Sequence, residues 1–313
     1  MSLEISHIHP YLELDKISIK NEDAVLFYGE NLDNRSDKVF KHYTNTIQNK
    51  YKIIYDEDNF ELIIDNERKM KNVFFGRGFI QTLSFKNYYI DATSLGFAEI
   101  LLILHNLNEV RTGINIVIIY AEPKEYKKEK KTPFGDSFDL TKVAGDFKKI
   151  PPYSLLIDSS TSSKAILVPF LGFENNRLGR IMESDDGARY KKYIPILGLP
   201  AFHPSWENIS LQRHHQELKN ITDIKFSPAS NPYETYQVLD NIYKNSFNPT
   251  LVLAPIGTKP HAIGAIIFLI NKKEVDINIG LTYDFPKKKE NRTDGIGNIY
   301  EYLIIVKSSE GKK

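Results

Sequence analysis

Apolar runs separated by polar turns predict an α/β fold for this chain. The most informative stretch begins with the apolar run 250–254, which predicts a buried strand. A turn over 255–260 follows, and the apolar run 261–270 predicts a helix. A β-rich run over 275–283 completes a strand–turn–helix–strand unit, which implies a right-handed crossover between two parallel strands.

The first half of the chain contains a similar unit. Residues 88–123 predict a strand, a polar turn with Thr93, an apolar helix and a second strand, and residues 251–286 repeat this order with Thr258 at the turn. Both units end in Tyr-x-x-Pro followed by lysines. We therefore predict a Rossmann-like α/β fold with mainly parallel sheets, crossover helices and two pseudo-repeated halves. The alternative is that any two crossover units look alike.

The best candidate for a domain boundary lies in the middle of the chain. Residues 124–131 are mostly Lys and Glu, and the stretch that follows, to residue 152, shows little periodicity. We predict an N-terminal α/β half over residues 1–150. A C-terminal half over residues 151–313 carries the turn at 255–260.

Composition and charge narrow the class of protein. The apolar fraction of 41% and the charged fraction of 26% are typical of a soluble globular protein. A net charge of +1 gives no global attraction to nucleic acid, which we disfavour as a partner, or to an acidic membrane. The absence of cysteine excludes disulfides and thiolate metal sites. With no long apolar run and no signal peptide expected, we predict a cytoplasmic protein that contacts no membrane.

Most sequence signatures of catalysis are missing. The chain has no Gly-x-x-x-x-Gly-Lys-Ser/Thr loop, no Gly-x-Gly-x-x-Gly, no Gly-x-Ser-x-Gly and no His-Glu-x-x-His. His214 and His215 fall in a predicted polar helix, where a solvated face is the expected role. His7 and His9 lie near a terminus that we expect to be disordered. We predict no metal site and no cofactor.

Polar side chains instead gather where the predicted strands end. These candidates are Glu30, Asp33 and Arg35 after the first strand, Arg77 after another, Asp91, Thr93 and Ser94 in the first unit, Arg177 after the strand that ends at 170, and Gly257, Thr258, Lys259 and His261 in the second unit. Each alone is explained by helix capping or a surface position. Together they favour a phosphate-bearing ligand, because open α/β sheets bind ligands at the carboxyl ends of their strands.

The turn after the strand 250–254 has the features of an anion-binding site. Gly257 can take a positive φ that other residues resist, and Thr258 can cap the helix with its hydroxyl. Lys259 is expected to place a mostly exposed ammonium beside free helix N–H groups. We also predict that Thr93 and Thr258 share the mouth of one cleft.

The residues Pro-Ile-Gly-Thr-Lys-Pro-His-Ala-Ile-Gly at 255–264 resemble the Gly-Gly-Thr-Lys turn of CARF-type domains. Those domains are Rossmann-like ring-nucleotide sensors of prokaryotic defence systems. The resemblance covers about ten residues, with Ile256 where the family commonly has its first glycine. It implies ligand contacts from Gly257, Thr258 and Lys259. It also implies a pair of turns around one ligand, supplied by the internal repeat or by a homodimer, and a separate effector protein as output.

Three functions remain open at this point. The first is a ligand-binding or sensor protein for a nucleotide or another phosphorylated molecule. The second is an enzyme acting on such a ligand, with Asp91, Asp33 or Glu30 as the acid or base and Lys259 stabilising negative charge. The third is a structural or interaction protein without a ligand.

Overall fold

The chain folds into two compact units. Unit 1 comprises Met1–Lys127 and Lys289–Lys313, and unit 2 comprises Lys128–Lys288. These limits do not coincide with the boundary that we predicted at residue 150. The computed structural model describes residues 1–66, 68–70, 78–110, 113–127, 130–132, 135–137, 140–143, 145–155, 157, 164–183, 190–247, 249–273 and 275–308.

Unit 1 is built on an eight-stranded sheet in the order β1-β18-β7-β6-β2-β3-β4-β5. Its strands are β1 (Ser2–Tyr11), β2 (Ala24–Tyr28), β3 (Asn49–Asp56), β4 (Glu61–Ile64), β5 (Arg68–Met70), β6 (Asn87–Asp91), β7 (Asn115–Tyr126) and β18 (Thr293–Lys307). Its helices are α1 (Asn34–Thr44), α2 (Phe79–Thr82) and α3 (Phe97–Val110), with a short 3-10 helix at Leu14–Lys16. The four central strands β7, β6, β2 and β3 are parallel, and antiparallel strands extend both edges.

The central strands of unit 1 form because their sequences are nearly continuous apolar runs. Every residue of β6 is buried, as are four of the five residues of β2, which is typical of parallel strands covered on both faces. The apolar helix α3 is buried along most of its length.

The prediction of disorder around His7 and His9 is wrong. Both residues lie in the ordered strand β1, opposite Leu303 and Glu301 of β18.

Unit 2 contains a parallel sheet with the strand order β14-β13-β11-β15-β16, and β12 also pairs with β11. Its strands are β8 (Lys130–Thr132), β9 (Gly135–Ser137), β10 (Thr141–Val143), β11 (Ala165–Leu171), β12 (Lys192–Tyr193), β13 (Ile196–Gly198), β14 (Lys225–Ser227), β15 (Thr250–Ala254), β16 (Ile279–Leu281) and β17 (Lys287–Lys288). Its helices are α4 (Asn175–Glu183), α5 (Trp206–Arg213), α6 (His215–Leu218), α7 (Pro232–Lys244) and α8 (Lys259–Lys273).

The order of strands in unit 2 reverses direction once. From β11 the chain moves to β13 and then to β14 on one side of the sheet. It then crosses to the other side of β11, where β15 and β16 follow. The carboxyl ends of β11 and β15 therefore flank the reversal point, which is where ligands bind in open α/β sheets.

The mixed α/β class is confirmed, and both strand–helix–strand units that we predicted have parallel strands, β6 with β7 and β15 with β16. The second strand of the later unit is shorter than the predicted run 275–283, since β16 covers only Ile279–Leu281. Among the described residues, no helix is long and apolar enough to cross a membrane.

Candidate functional site

The turn 255–258 connects β15 to α8 and packs directly against the end of β11. A Cβ atom on Gly257 would lie 2.9 Å from the Cβ atom and 3.2 Å from the carbonyl oxygen of Phe170. A Cβ atom on Gly172 would lie 3.0 Å from the carbonyl oxygen of Ile256. Gly257 does not take the positive φ that is open to glycine, since the glycines of the described chain with positive φ are Gly113 and Gly295. Glycine is needed at residue 257 because the two backbones approach closely.

Thr258 joins the turn to two neighbouring segments. Its Oγ1 lies 3.4 Å from the backbone nitrogen of His261, a long contact in the position of the predicted cap. The same hydroxyl donates a 2.9 Å hydrogen bond to the carbonyl oxygen of Ala229, in the segment before α7. Thr258 therefore links the start of α8 to the segment between β14 and α7.

Two backbone donors of the turn are open. The N–H groups of Gly257 and Thr258 have no hydrogen-bond partner within the described ranges of the chain. Both residues lie directly before the 15-residue helix α8. The dipole of that helix adds partial positive charge at this end. Lys259 is the next residue and is half-buried rather than mostly exposed as we predicted. An anion is the ligand that such a set of donors favours.

His261 is fully buried in the first turn of α8. Its Nε2 lies 3.2 Å from the carbonyl oxygen of Ser227, which can only accept, so Nε2 carries the proton. Burial lowers the pKa of His261 to about 4, against the opposing effect of the Ser227 hydrogen bond. The ring is therefore neutral at pH 7, and Nδ1 is a buried acceptor with no partner among the described residues. His261 supports the turn but does not supply a positive charge.

Arg177 lies beside the turn, but its guanidinium is occupied by an acid. Its Nε donates to Asp284 at 2.9 Å and its Nη2 donates to the same carboxylate at 2.6 Å. Its Nη1 donates to the carbonyl oxygen of Ile256 at 3.3 Å. Burial alone lowers the pKa of Arg177, but the hydrogen bonds and charge of Asp284 raise it above its ordinary value. Arg177 thus holds the turn in place, and its guanidinium is not available to bind a phosphate.

In unit 1, Arg35 is also engaged within the protein. Its Nη2 lies 2.8 Å from Asp33, the residue that caps α1, and its Nε donates to Thr293. Its Nη1 donates to the carbonyl oxygen of Ala121 at 2.8 Å. Burial would raise the pKa of Asp33, but the charge and hydrogen bonds of Arg35 outweigh it and lower the pKa to about 2. This buried cluster joins α1 to β7 and β18.

The turn after β6 is filled by a carboxylate of the protein itself. Asp91 accepts hydrogen bonds from the backbone N–H of Thr93 at 2.9 Å and from the hydroxyl of Ser94 at 2.6 Å. Burial raises the pKa of Asp91 despite these bonds. Ser94 Oγ accepts the N–H of Gly29, and Thr93 Oγ1 accepts the N–H of Ala121. Ser94 thus joins the turn to the end of β2, and Thr93 joins it to β7.

The other candidates do not join this set. Glu30 is exposed, with its carboxylate 3.9 Å from Lys52 Nζ. Arg77 lies outside the described residues. Thr93 belongs to unit 1 and Thr258 to unit 2, so the shared cleft stays a prediction. In unit 2, the structure brings together Gly257, Thr258, Lys259, His261 and Arg177 around one turn.

Sequence reasoning missed the acid that holds Arg177. Asp284 is fully buried and follows the tyrosine of the second Tyr-x-x-Pro motif. The first motif has a matching contact, because Arg35 binds the carbonyl of Ala121, the residue after its tyrosine. In both units the arginine stands in the first turn of the helix that follows the first parallel strand. The paired motifs were the available signal for this contact.

Comparisons with protein-family models, curated proteins and solved structures found no match for this chain. Within the described residues, no group of three or more histidine or acidic side chains is placed to hold a metal ion. The function of the protein is therefore inferred from the geometry of the turn and its neighbours.

Proposed function

We propose that this chain is a ligand-binding or sensor protein that holds a nucleotide, or another phosphorylated molecule, at the turn Gly257–Lys259. The observation that carries the proposal is the pair of open backbone N–H groups at Gly257 and Thr258, beside the Lys259 cation, at the reversal point of a parallel sheet. Phosphate groups suit such positions because helix N–H groups and the helix dipole both favour negative charge.

The strand order of unit 2 supports a Rossmann-like assignment. Numbered along the chain, its strands lie in the order 3-2-1-4-5, as in a Rossmann sheet. In unit 1 the parallel strands β3-β2-β6-β7 lie in the order 2-1-3-4. The matching arginine contacts at the two Tyr-x-x-Pro motifs support an internal repeat. The resemblance of residues 255–264 to CARF-type sensors agrees with this reading and suggests a role in prokaryotic defence. The homodimer and the separate effector protein are part of that proposal.

The described contacts favour the turn of unit 2 over that of unit 1 as the anion-binding site. At the end of β6, the carboxylate of Asp91 already accepts the donors of the turn. A phosphate there would have to displace a buried acid. At the end of β15, the last residue is Ala254 and no acidic side chain takes that place. The open donors of the turn in unit 2 therefore favour an anion from outside the protein.

The enzyme alternative has less support from the described contacts. Asp33 is buried in its ion pair with Arg35, and Asp91 is buried against Ser94. A general acid or base must reach the substrate with its proton-transferring oxygen, and these oxygens contact protein groups instead. Glu30 is exposed and belongs to unit 1, whereas the Gly257 turn belongs to unit 2.

The test is to titrate nucleoside monophosphates and pyrophosphate into the wild type and the Lys259→Ala variant by calorimetry. A charge-assisted hydrogen bond contributes about 1.5–3 kcal/mol, so affinity should fall roughly tenfold to a hundredfold. The matched control is Lys244→Ala. Lys244 is an exposed lysine at the carboxyl end of α7, so its removal should leave the affinity for phosphates unchanged. Mass spectrometry of the same mixtures separates binding from turnover.

Equal affinity of wild type and Lys259→Ala for every ligand would contradict a role for Lys259. Failure of the wild type to bind any of these phosphates would contradict the proposed function itself. A product in the mixtures would instead support the enzyme.

A further inference from the structure

Three aromatic rings form a half-buried group near the candidate site in unit 2. Phe173 and Trp206 meet edge to face with ring centroids 5.5 Å apart, and His203 and Trp206 have centroids 4.4 Å apart. All three side chains are partly accessible to solvent. Phe173 follows the carboxyl end of β11, and the other two follow β13. We call Phe173, His203 and Trp206 the aromatic group.

The aromatic group lies close to the Gly257 turn through the glycine that precedes Phe173. A Cβ atom on Gly172 would lie 3.5 Å from the Cα atom of Gly257. Since successive Cα atoms are 3.8 Å apart, the Cα of Phe173 lies within about 9 Å of the Cα of Gly257. The hydroxyl of Ser210 in α5 donates a 2.7 Å hydrogen bond to the carbonyl of Gly172, which fixes the helix carrying Trp206 to the same loop.

The backbone before Trp206 has a conformation that non-glycine residues rarely keep. Ser205 has a φ of 73° and lies in the left-handed region. The N–H of Trp206 donates to the carbonyl of His203 at 3.2 Å, which closes a tight turn between the two rings. Such strained residues gather at ligand sites, where the surrounding structure holds them in place.

Resting on the function proposed above, we propose that the ligand is a nucleotide whose base stacks on the aromatic group while its phosphate binds the Gly257–Lys259 turn. The Gly257 turn follows β15 and Phe173 follows its neighbour β11, so a single small molecule reaches from the turn to Phe173. His203 and Trp206 follow β13, on the other side of β11. A flat base gains contact with a half-buried aromatic surface, whereas a sugar phosphate does not. The buried Nδ1 of His261, in the first turn of α8, is a further polar group near the turn without a partner among the described residues.

The experiment compares AMP, GMP, CMP and UMP with ribose 5-phosphate, which carries the same phosphate without a base. Trp206 is the only tryptophan of the sequence, so its fluorescence reports directly on this group. At least one nucleotide should change the fluorescence and bind roughly fivefold to 150-fold more tightly than ribose 5-phosphate. Calorimetry gives the same affinities independently of fluorescence.

Two variants assign the effect to the ring. Trp206→Leu should remove most of the advantage of the nucleotide and leave affinity for ribose 5-phosphate unchanged, and Trp206→Phe should restore part of it. Phe226→Leu, at an aromatic residue of β14 that is 54% exposed, is the matched control and should change neither affinity. Thermal unfolding confirms that each variant is folded.

The outcomes distinguish this inference from the proposed function. Equal binding of ribose 5-phosphate and all four nucleotides by the wild type, without a fluorescence change, would overturn base stacking and leave the phosphate site standing. Loss of ribose 5-phosphate binding in folded Trp206→Leu would show a structural role for the ring and would also overturn it. Binding of none of the five compounds would overturn both proposals.

Discussion

Replacing Gly257 by alanine tests the close approach on which the geometry of the turn depends. The new Cβ atom would lie 2.9 Å from the Cβ atom of Phe170 and 3.2 Å from its carbonyl oxygen. Phe170 is fully buried in the central strand β11, so neither atom can move aside without shifting the strand or the turn. Insertion of a methyl group into such a packed position costs about 1–3 kcal/mol.

The matched control is Gly179→Ala in α4. Its Cβ atom would meet only the Glu217 Oε1 atom at 3.5 Å, an ordinary contact. Because alanine is favoured over glycine inside a helix, this variant should gain about 0.5–1 kcal/mol. The two substitutions add the same methyl group, so opposite signs of the change in stability isolate the contact with Phe170.

Urea unfolding followed by circular dichroism gives the free energy of unfolding of each variant, and calorimetry with pyrophosphate gives the affinity of the turn. Gly257→Ala should lose both stability and affinity, since a displaced turn no longer presents its two N–H groups together. A Gly257→Ala protein as stable as the wild type, with unchanged affinity, would refute the steric argument.

Three further predictions concern the stability of the protein. Gly264→Ala should destabilise the protein by about 1–3 kcal/mol in thermal unfolding, because its Cβ atom would lie 2.5 Å from a carbonyl oxygen of α7; unchanged stability would mean that the helices separate freely. His261 has a pKa of about 4 in the folded protein, below its ordinary value of 6.5. As the pH drops from 6.5 to 4, the unfolded chain therefore binds a proton before the folded protein does. The free energy of unfolding should fall by up to about 3 kcal/mol over this range. His261→Gln should lose this part of the slope, and identical slopes would contradict the assignment. Asp33→Asn should cost about 3–5 kcal/mol at pH 7 by leaving Arg35 unpaired in a buried site. The difference from wild type should shrink as pH falls through about 2, where wild-type Asp33 itself becomes protonated, and a constant difference would argue against the lowered pKa.

The local elements were predictable from the sequence where apolar runs are long and continuous. The run 250–254 coincides with β15, and the apolar helix predicted within residues 88–123 is α3. Strand β1 was missed because its buried and exposed positions alternate weakly and its partner β18 is about 300 positions away in the sequence. Such long-range pairings leave no local signal, which is also why the unit boundaries differ from residue 150.

The candidate site shows the same limit. The position of Thr258 before the helix was visible in the sequence, and its contact with His261 follows from local geometry. The partner of Arg177 was not visible, because Asp284 lies 107 positions further along the chain. Sequence reasoning named Arg177 as a candidate ligand contact, whereas in the fold its guanidinium binds a buried acid.

The strand–helix turns after β6 and β15 differ in whether the protein itself pairs their N–H groups. Each lies before a helix of at least 14 residues, where unpaired N–H groups and the helix dipole favour a negative charge. After β6 the side chain of Asp91 accepts the N–H of Thr93 and the hydroxyl of Ser94. After β15 the corresponding strand ends in Ala254, and the N–H groups of Gly257 and Thr258 remain without a partner among the described residues. The open turn after β15, with Lys259 as the next residue, is the position on which the proposed binding of an anionic ligand depends.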